Sequence, residues 1–305
     1  MKIVFFGSSE FVVQVLEHLH ESTDVVAVVS TPDAPLGRKQ ILTPTPVTLG
    51  AKELKIPTFT PSSLKDDEIN KVLTNLQADL FVVASYGKII PKSILGIPKF
   101  GVINIHPSLL PFYRGPSPIQ TTLVNSDQTT GVSLILMDEQ VDHGPLIAQE
   151  EVEILPNDNF LELATKLFAT GTKLLLNSIN PFIENNLLPT PQDHDKATFT
   201  KILTKDDGKI MWSKSSQSIY NQFRGLNPWP GIWTTWNDQT LKILDCIPNE
   251  NTQQGPLGTV ITDGKIICGD NSTLQILTLQ LPGKPPTDIK SFLRGHPTFT
   301  NSQLK

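Results

Sequence analysis

The chain has 305 residues, 38% hydrophobic and 18% charged, which suits a soluble globular protein with room for two domains. Its net charge of −5 excludes general attraction to polyanions, so any nucleic-acid contact must come from a local patch. No apolar run approaches membrane-spanning length, a strand begins almost at Met1 with no room for a signal peptide, and Cys246 and Cys268 form no Cys-x-x-Cys pair; a cytoplasmic protein with two free buried thiols is expected, one disulfide being the alternative.

Lys2–Phe6 reads as a central strand. Gly7-Ser8-Ser9-Glu10 follows, with hydroxyls able to cap a helix and an acid for its first turn. Phe11, Val12, Val15, Leu16 and Leu19 then recur at helical spacing, and Val25–Val29 is a second strand. This opening predicts an α/β fold around a doubly wound, mostly parallel sheet. Its first turn holds one glycine where a dinucleotide fingerprint needs three, which argues against a nicotinamide cofactor. Residues 31–46 are rich in proline and lack apolar period, so they read as an exposed loop. Gly37 and the adjacent charges of Arg38 and Lys39 leave two readings, a solvated tip or a mobile arm that grips phosphate.

A helix is predicted over Val47–Lys55, a short strand over Pro57–Phe59, a helix over Asp66–Leu76 and a buried strand over Asp79–Ser85. Tyr86-Gly87-Lys88-Ile89-Ile90-Pro91 then crosses the strand's carboxyl end, where main-chain groups can read the edge of a flat heterocycle. The Tyr86 ring alone reads as core and the Lys88 amine as surface. The centre of the sequence is Gly101–Gly115. Val102, Ile103 and Ile105 predict a buried strand, and Asn104 and His106, two apart, share one face at its carboxyl end. Pro107, Pro111 and Gly115 turn the chain over the sheet, at the edge where open α/β sheets bind ligands. An amide and an imidazole there can donate to a carbonyl oxygen as it gains charge. Strand Thr130–Met137 leads to Asp142, which the bend at Gly144-Pro145 can aim inward. Amide, imidazole and carboxylate together suit acyl transfer.

Leu146–Leu155 reads as a strand returning over the sheet. Asn157 caps a long helix whose apolar side carries Phe160, Leu161, Ala164, Leu167, Phe168, Leu174, Leu175 and Ile179. Residues 185–208 read as an interdomain linker dividing a domain at 1–184 from one at 209–305. A helix over Ser215–Arg224 is followed by short strands at Ile232–Trp236, Thr240–Ile247, Gly258–Thr262, Lys265–Cys268 and Leu274–Leu279, with a hairpin signal at Asp263-Gly264. Five such strands predict a small β-barrel. From Lys209 onward there are 9 Lys+Arg against 6 Asp+Glu, a modest excess of +3 that makes this third the better candidate for a polyanion. No ligand-spaced His/Cys set predicts a metal.

FGSSEF at 6–11, TPDAPLGRK and TPTPV within 31–47, YGKIIP at 86–91, NIHPSLLPFYRG at 104–115, DEQVDHGPLI at 138–147 and NPWPG at 227–231 resemble the 10-formyltetrahydrofolate-dependent formyltransferase family along nearly the whole chain. Glycinamide ribonucleotide formyltransferases, formyltetrahydrofolate hydrolases and sugar-nucleotide N-formyltransferases share the central motif. Length disfavours the first two. The Gly-Arg-Lys loop with Thr-Pro-Thr-Pro-Val resembles the branch that acts on methionyl-tRNA, and sugar-nucleotide N-formylation is the alternative. Relative to the family, the loop has fewer basic residues, and Glu139-Gln140-Val141 and His143 replace the commoner Glu-Gly-Leu and Thr.

The resemblance implies a Rossmann-like catalytic domain followed by an OB-like barrel. It implies formyl transfer from 10-formyltetrahydrofolate to the α-amine of methionyl initiator tRNA, for translation initiation, by a monomer without membrane partner or metal. It makes Asn104, His106 and Asp142 catalytic. It lays the folate over Ser108, Leu109, Leu110 and Pro111 and the main chain at Tyr86, Gly87 and Ile89. Arg38 goes to the tRNA acceptor stem with Lys39 beside it, and the barrel to the tRNA body. His143 is expected outside the chemistry, pointing away from Asp142 on an extended segment.

Overall fold

Strand β1 (Lys2–Gly7) is buried at every position after Lys2, which requires cover on both faces of its sheet. The protein, a computed structural model, is described at residues 1–37, 39–249 and 252–305. After β1 come α1 (Val13–Ser22), β2 (Asp24–Val29), β3 (Ala34–Leu36), β4 (Ile41–Thr43), α2 (Pro46–Glu53), β5 (Thr58–Phe59) and α3 (Asp67–Asn75). They are followed by β6 (Leu80–Ala84), α4 (Lys92–Leu95), β7 (Val102–His106), α5 (Pro118–Val124), β8 (Thr129–Leu136), β9 (Leu146–Glu153) and α6 (Phe160–Ile183). Seven strands join in the order β5-β2-β1-β6-β7-β8-β9. Strands β5 to β7 are parallel; β8 runs against β7, and β9 against β8. The chain leaves β1 toward β2 on one side and later returns to β6 on the other. The crevice at that reversal, at the strand carboxyl ends, is where such sheets take ligands.

Contacts divide the chain into two units. The first comprises Met1–Pro118, Thr129–Ile154 and Leu161–Thr200; the second comprises Ile119–Gln128, Leu155–Phe160 and Lys201–Lys305. In the first, α6 buries Leu163, Ala164, Leu167, Phe168, Leu175 and Ile179. Leu161, expected on that stripe, is 42% exposed, because the buried face begins at Leu163. At Gly171 the helix lies so close to the sheet that a Cβ would sit 2.6 Å from Ile105.

Three local expectations change. Ser9 makes no side-chain cap, and a 3₁₀ turn at Glu10–Val12 precedes α1. Ser8 instead donates to the Tyr86 carbonyl at 3.1 Å and so ties the end of β1 to the end of β6. The 31–46 loop contains a hairpin, with Leu36 opposite Ile41 and Pro35 opposite Leu42. Leu36, Ile41 and Leu42 are exposed, so cross-strand pairing rather than burial forms it, and no apolar period marks it. Finally, the strand read over Leu146–Leu155 is the sheet's edge strand β9 rather than a cover over it.

The second unit contains α7 (Ser216–Leu226), β10 (Ile232–Trp236), β11 (Gln239–Asn249), β12 (Lys265–Ile267), β13 (Thr273–Gln280), β14 (Thr287–Asp288) and α8 (Ile289–Gly295). Its strands form an antiparallel sheet, β10-β11-β13-β12, with β14 also paired to β13. Trp212, Ile219, Leu241, Ile243, Leu274, Ile276 and Phe299 fill its core. Asp263 and Gly264 both have positive φ (59° and 75°), the signature of the expected two-residue turn. The strand expected at Gly258–Thr262 is reduced to isolated bridges at Thr259 and Val260. Cys246 and Cys268 are free and buried; burial pushes the Cys268 thiol up to about 12 and raises Cys246 as well. No helix among the described residues is long and apolar enough to cross a membrane.

Leu16 is fully buried on the inner face of α1. Leu16→Ala should destabilise by about 2–5 kcal/mol, read from the urea midpoint; a loss under about 1 kcal/mol would mean that α1 is not packed as described.

Candidate active site

Asn104 lies opposite Val83 of β6 and Ile135 of β8, and His106 lies opposite Ser133. Their shared parity brings both side chains to one face of β7. The His106 ring is buried. Its Nε2 lies 3.1 Å from the Tyr113 carbonyl, which can only accept, so Nε2–H donates there. Its Nδ1 faces Asp142 Oδ1 at 3.5 Å, and Asn104 Nδ2 approaches the same oxygen at 3.4 Å. Both distances are long for hydrogen bonds, so amide and imidazole converge loosely on one oxygen position. The other carboxylate oxygen is held firmly, accepting the Gly115 N–H at 2.8 Å.

Asp142 owes its inward aim to its own backbone. Its φ of 49° is a left-handed conformation that Asp tolerates better than most residues. The side chain is only 12% exposed. The bend expected at Gly144-Pro145 therefore begins two residues earlier. His143 is turned away from the cluster, as expected, but by this turn and not by extension. Its Nδ1 pairs with Asp138 Oδ2 at 2.6 Å, and its ring stacks on His194 at 4.0 Å with 1° between the planes.

The segment after His106 is fastened from beneath. Ser133 donates to the Ser108 carbonyl at 2.6 Å and accepts from Leu110 N–H at 3.0 Å and from Gln149 Nε2 at 2.8 Å. Gln149 also donates to the Leu110 carbonyl at 2.8 Å, and Ser108 Oγ donates to the Phe112 carbonyl at 2.7 Å. Of the residues read from sequence as ligand-contacting, Ser108 and Leu110 thus turn inward, while Leu109 and Pro111 are half-buried. Tyr86 also turns inward: its ring meets Phe6 edge-on at 5.5 Å, its hydroxyl has no hydrogen-bond partner among the described residues, and burial pushes its phenol up to about 12. Gly87 (φ 81°, with open space where a Cβ would stand) and Ile89, 80% exposed, form the open rim. Lys88 anchors that rim by donating to the carbonyls of Pro61 and Ser62 at 2.9 and 2.8 Å. Lys39 is exposed in the turn between β3 and β4, and Arg38 lies outside the described residues.

Ser133 and Gln149 escaped the sequence reading. The one signal was a serine inside the otherwise apolar run of β8. Gln192, buried in the stretch read as a linker, escaped it as well; it holds the Asp142 turn from behind.

Residues 1–179 match the family model described as formyl transferase, and residues 202–297 match the formyl transferase C-terminal domain. The chain is 40% identical over 297 residues to the methionyl-tRNA formyltransferase of Listeria monocytogenes serovar 1/2a (strain ATCC BAA-679 / EGD-e), covering 96% of this chain and 95% of that one. It is 38% identical over 298 residues to the methionyl-tRNA formyltransferase of Staphylococcus aureus (strain JH1), covering 96% of each. Among solved structures it resembles an N-formyltransferase from Helicobacter canadensis in complex with folinic acid and dTDP-3-aminofucose. That match has a TM-score of 0.69 and 19% identity over 90% of this chain and 98% of the other, and it concerns the fold alone.

Ser133→Ala should leave the Ser108 carbonyl and the Leu110 N–H without their partner and cost about 1–3 kcal/mol in denaturant unfolding. An unchanged midpoint would show that this hydroxyl does not fasten the loop.

Proposed function

This chain belongs to the formyl transferase family, and on that premise we propose that it transfers the formyl group of 10-formyltetrahydrofolate to the α-amine of methionyl initiator tRNA. The observation that carries the reading is the meeting of Asn104, His106 and Asp142 at the carboxyl end of β7. The open rim suits the donor: Gly87 and Ile89 offer main chain and apolar surface to a flat ring, and Val83, paired with Asn104, sets β6 beside the cluster.

10-Formyltetrahydrofolate supplies an activated formyl carbon. Asn104 donates its amide N–H to the formyl oxygen as that oxygen gains charge. His106, with Nε2–H committed to Tyr113, meets the same oxygen through Nδ1–H in its doubly protonated form, in which both ring nitrogens donate. Asp142 orients the ring and draws the proton from the attacking amine, directly or through one water. The proton then passes to the departing folate nitrogen, so one C–N bond forms as another breaks. Burial of the cluster strengthens these interactions by excluding bulk water.

The β3–β4 hairpin presents Lys39, with Arg38 next to it in sequence, to acceptor-stem phosphates. The chain beyond Lys209 carries the positive excess for the tRNA body. In this reading residues 1–184 contain the catalytic domain, 185–208 the connection and 209–305 the tRNA-binding domain of a cytoplasmic monomer.

With 10-formyltetrahydrofolate as donor, methionyl initiator tRNA should be formylated and a dTDP-amino sugar should not; the reverse result would make this a sugar N-formyltransferase. Asp142→Asn should lower turnover about 10²–10⁴-fold with folate affinity near wild type, and unchanged turnover would remove the carboxylate from the chemistry. Arg38→Ala should raise the KM for tRNA and leave that for folate unchanged; the opposite pattern would assign the hairpin to folate.

A further inference from the structure

The Asp142 turn is gripped on the side away from Asn104 and His106. Gln192 Nε2 donates to the main-chain carbonyls of Asp142 and Gly144, at 2.9 and 2.7 Å. Those carbonyls flank His143, so one amide group spans the turn. Gln192 Oε1 accepts from Arg114 Nε at 3.2 Å and from Arg114 Nη2 at 2.6 Å. Arg114 precedes Gly115, whose N–H holds the Asp142 carboxylate. A closed circuit results, from carboxylate to Gly115, Arg114, Gln192 and back to the Asp142 carbonyl.

The circuit is dry and braced. Gln192 and Arg114 are 5% and 3% exposed, and every polar atom of the Gln192 amide is used. Burial lowers the Arg114 pKa, opposed by the carboxylates of Asp142 and Asp138, and a guanidinium stays charged under either influence. Arg114 Nη2 also lies 2.8 Å from His194 Nδ1, which accepts there because a guanidinium only donates. The His194 ring in turn stacks on His143. The same segment runs beside the Arg114 backbone, with Arg114 N–H on the Thr198 carbonyl and Thr200 N–H on the Arg114 carbonyl. Both turns that meet at the Asp142 carboxylate are therefore set by residues 192–200.

We propose that Gln192 is a positioning residue for Asp142, with Arg114 as its anchor, and that it sets the rate of formyl transfer without touching either substrate. The inference rests on the catalytic assignment of Asp142. Asp142 sits in an uncommon backbone conformation, and misplacement by about 1 Å at such a site can cost about 10²-fold in rate.

The test is a double-mutant cycle. Gln192→Glu keeps an acceptor for Arg114 but removes the donor shared by the two carbonyls. It should lower kcat about 10- to 100-fold and leave both KM values within about twofold, with a lower unfolding midpoint because two buried carbonyls lose their donor; kcat is read below that midpoint, on folded protein. In an Asp142→Asn background the same change should lower kcat by less than about twofold, because Gln192 acts only through that carboxylate. Gln192→Met, which makes neither contact, is the second variant and should show the same kcat pattern. Wild-type kcat in a folded Gln192 variant, multiplicative losses in the cycle, or failure of both variants to fold would each overturn the inference. Wild-type protein that does not formylate methionyl-tRNA would instead overturn the functional reading, and the inference with it.

Discussion

One carboxylate organises this site. Asp142 Oδ2 is fixed by a main-chain N–H at 2.8 Å, while Oδ1 is left to two side-chain donors at 3.4 and 3.5 Å. The firm contact sets where the carboxylate stands, and the loose ones leave amide and imidazole free to turn to a substrate oxygen. A carboxylate bound tightly on both oxygens would be a weaker base, because hydrogen bonds to the charged form favour it. One bound on neither would lose its aim in a nearly dry pocket, where an unpaired charge is costly.

The sheet supplies the other half of that arrangement. Parallel strands buried on both faces fix β6 and β7 relative to each other, and alternation along β7 puts Asn104 and His106 on one side. Past the last apolar residue the chain must turn, and each turn is secured by a polar side chain. Ser133 secures 108–110, Gln192 secures 142–144, and Lys88 secures the rim against Pro61 and Ser62. Rigid strands carry the donors, and fastened loops carry the carboxylate and the open surface beside it. Such a division is expected where groups must be held to within fractions of an ångström.

What the sequence made legible follows from locality. The runs at β1 after Lys2 and at β6 carry no polar side chain, so burial and strand form coincide. Asn104 and His106 declare their common face by spacing alone. Asp263 and Gly264 declare a turn because few other pairs accept positive φ twice. Features made by distant partners were hidden. Gln192 meets residues 48 to 78 positions away, and nothing in its own polar, irregular surroundings distinguishes a fastened strap from a linker. Arg114 looked like part of a loop, although its guanidinium is buried. The hairpin at β3 and β4 was obscured because its apolar residues face outward, and periodicity reports burial. The inward turn of the side chains at Ser108 and Leu110 was equally invisible, since it depends on a serine opposite His106 in another strand.

The central claim is that Asn104 and His106 act as one device on one oxygen. It is tested most directly by the single-turnover rate of formyl transfer, at saturating folate and tRNA, in Asn104→Ala, His106→Ala and the double variant. Each single change should lower the rate about 10²–10³-fold, and the double variant should fall little below the slower single, as groups that work as a unit do. Losses that multiply, or either single variant at the wild-type rate, would contradict the account.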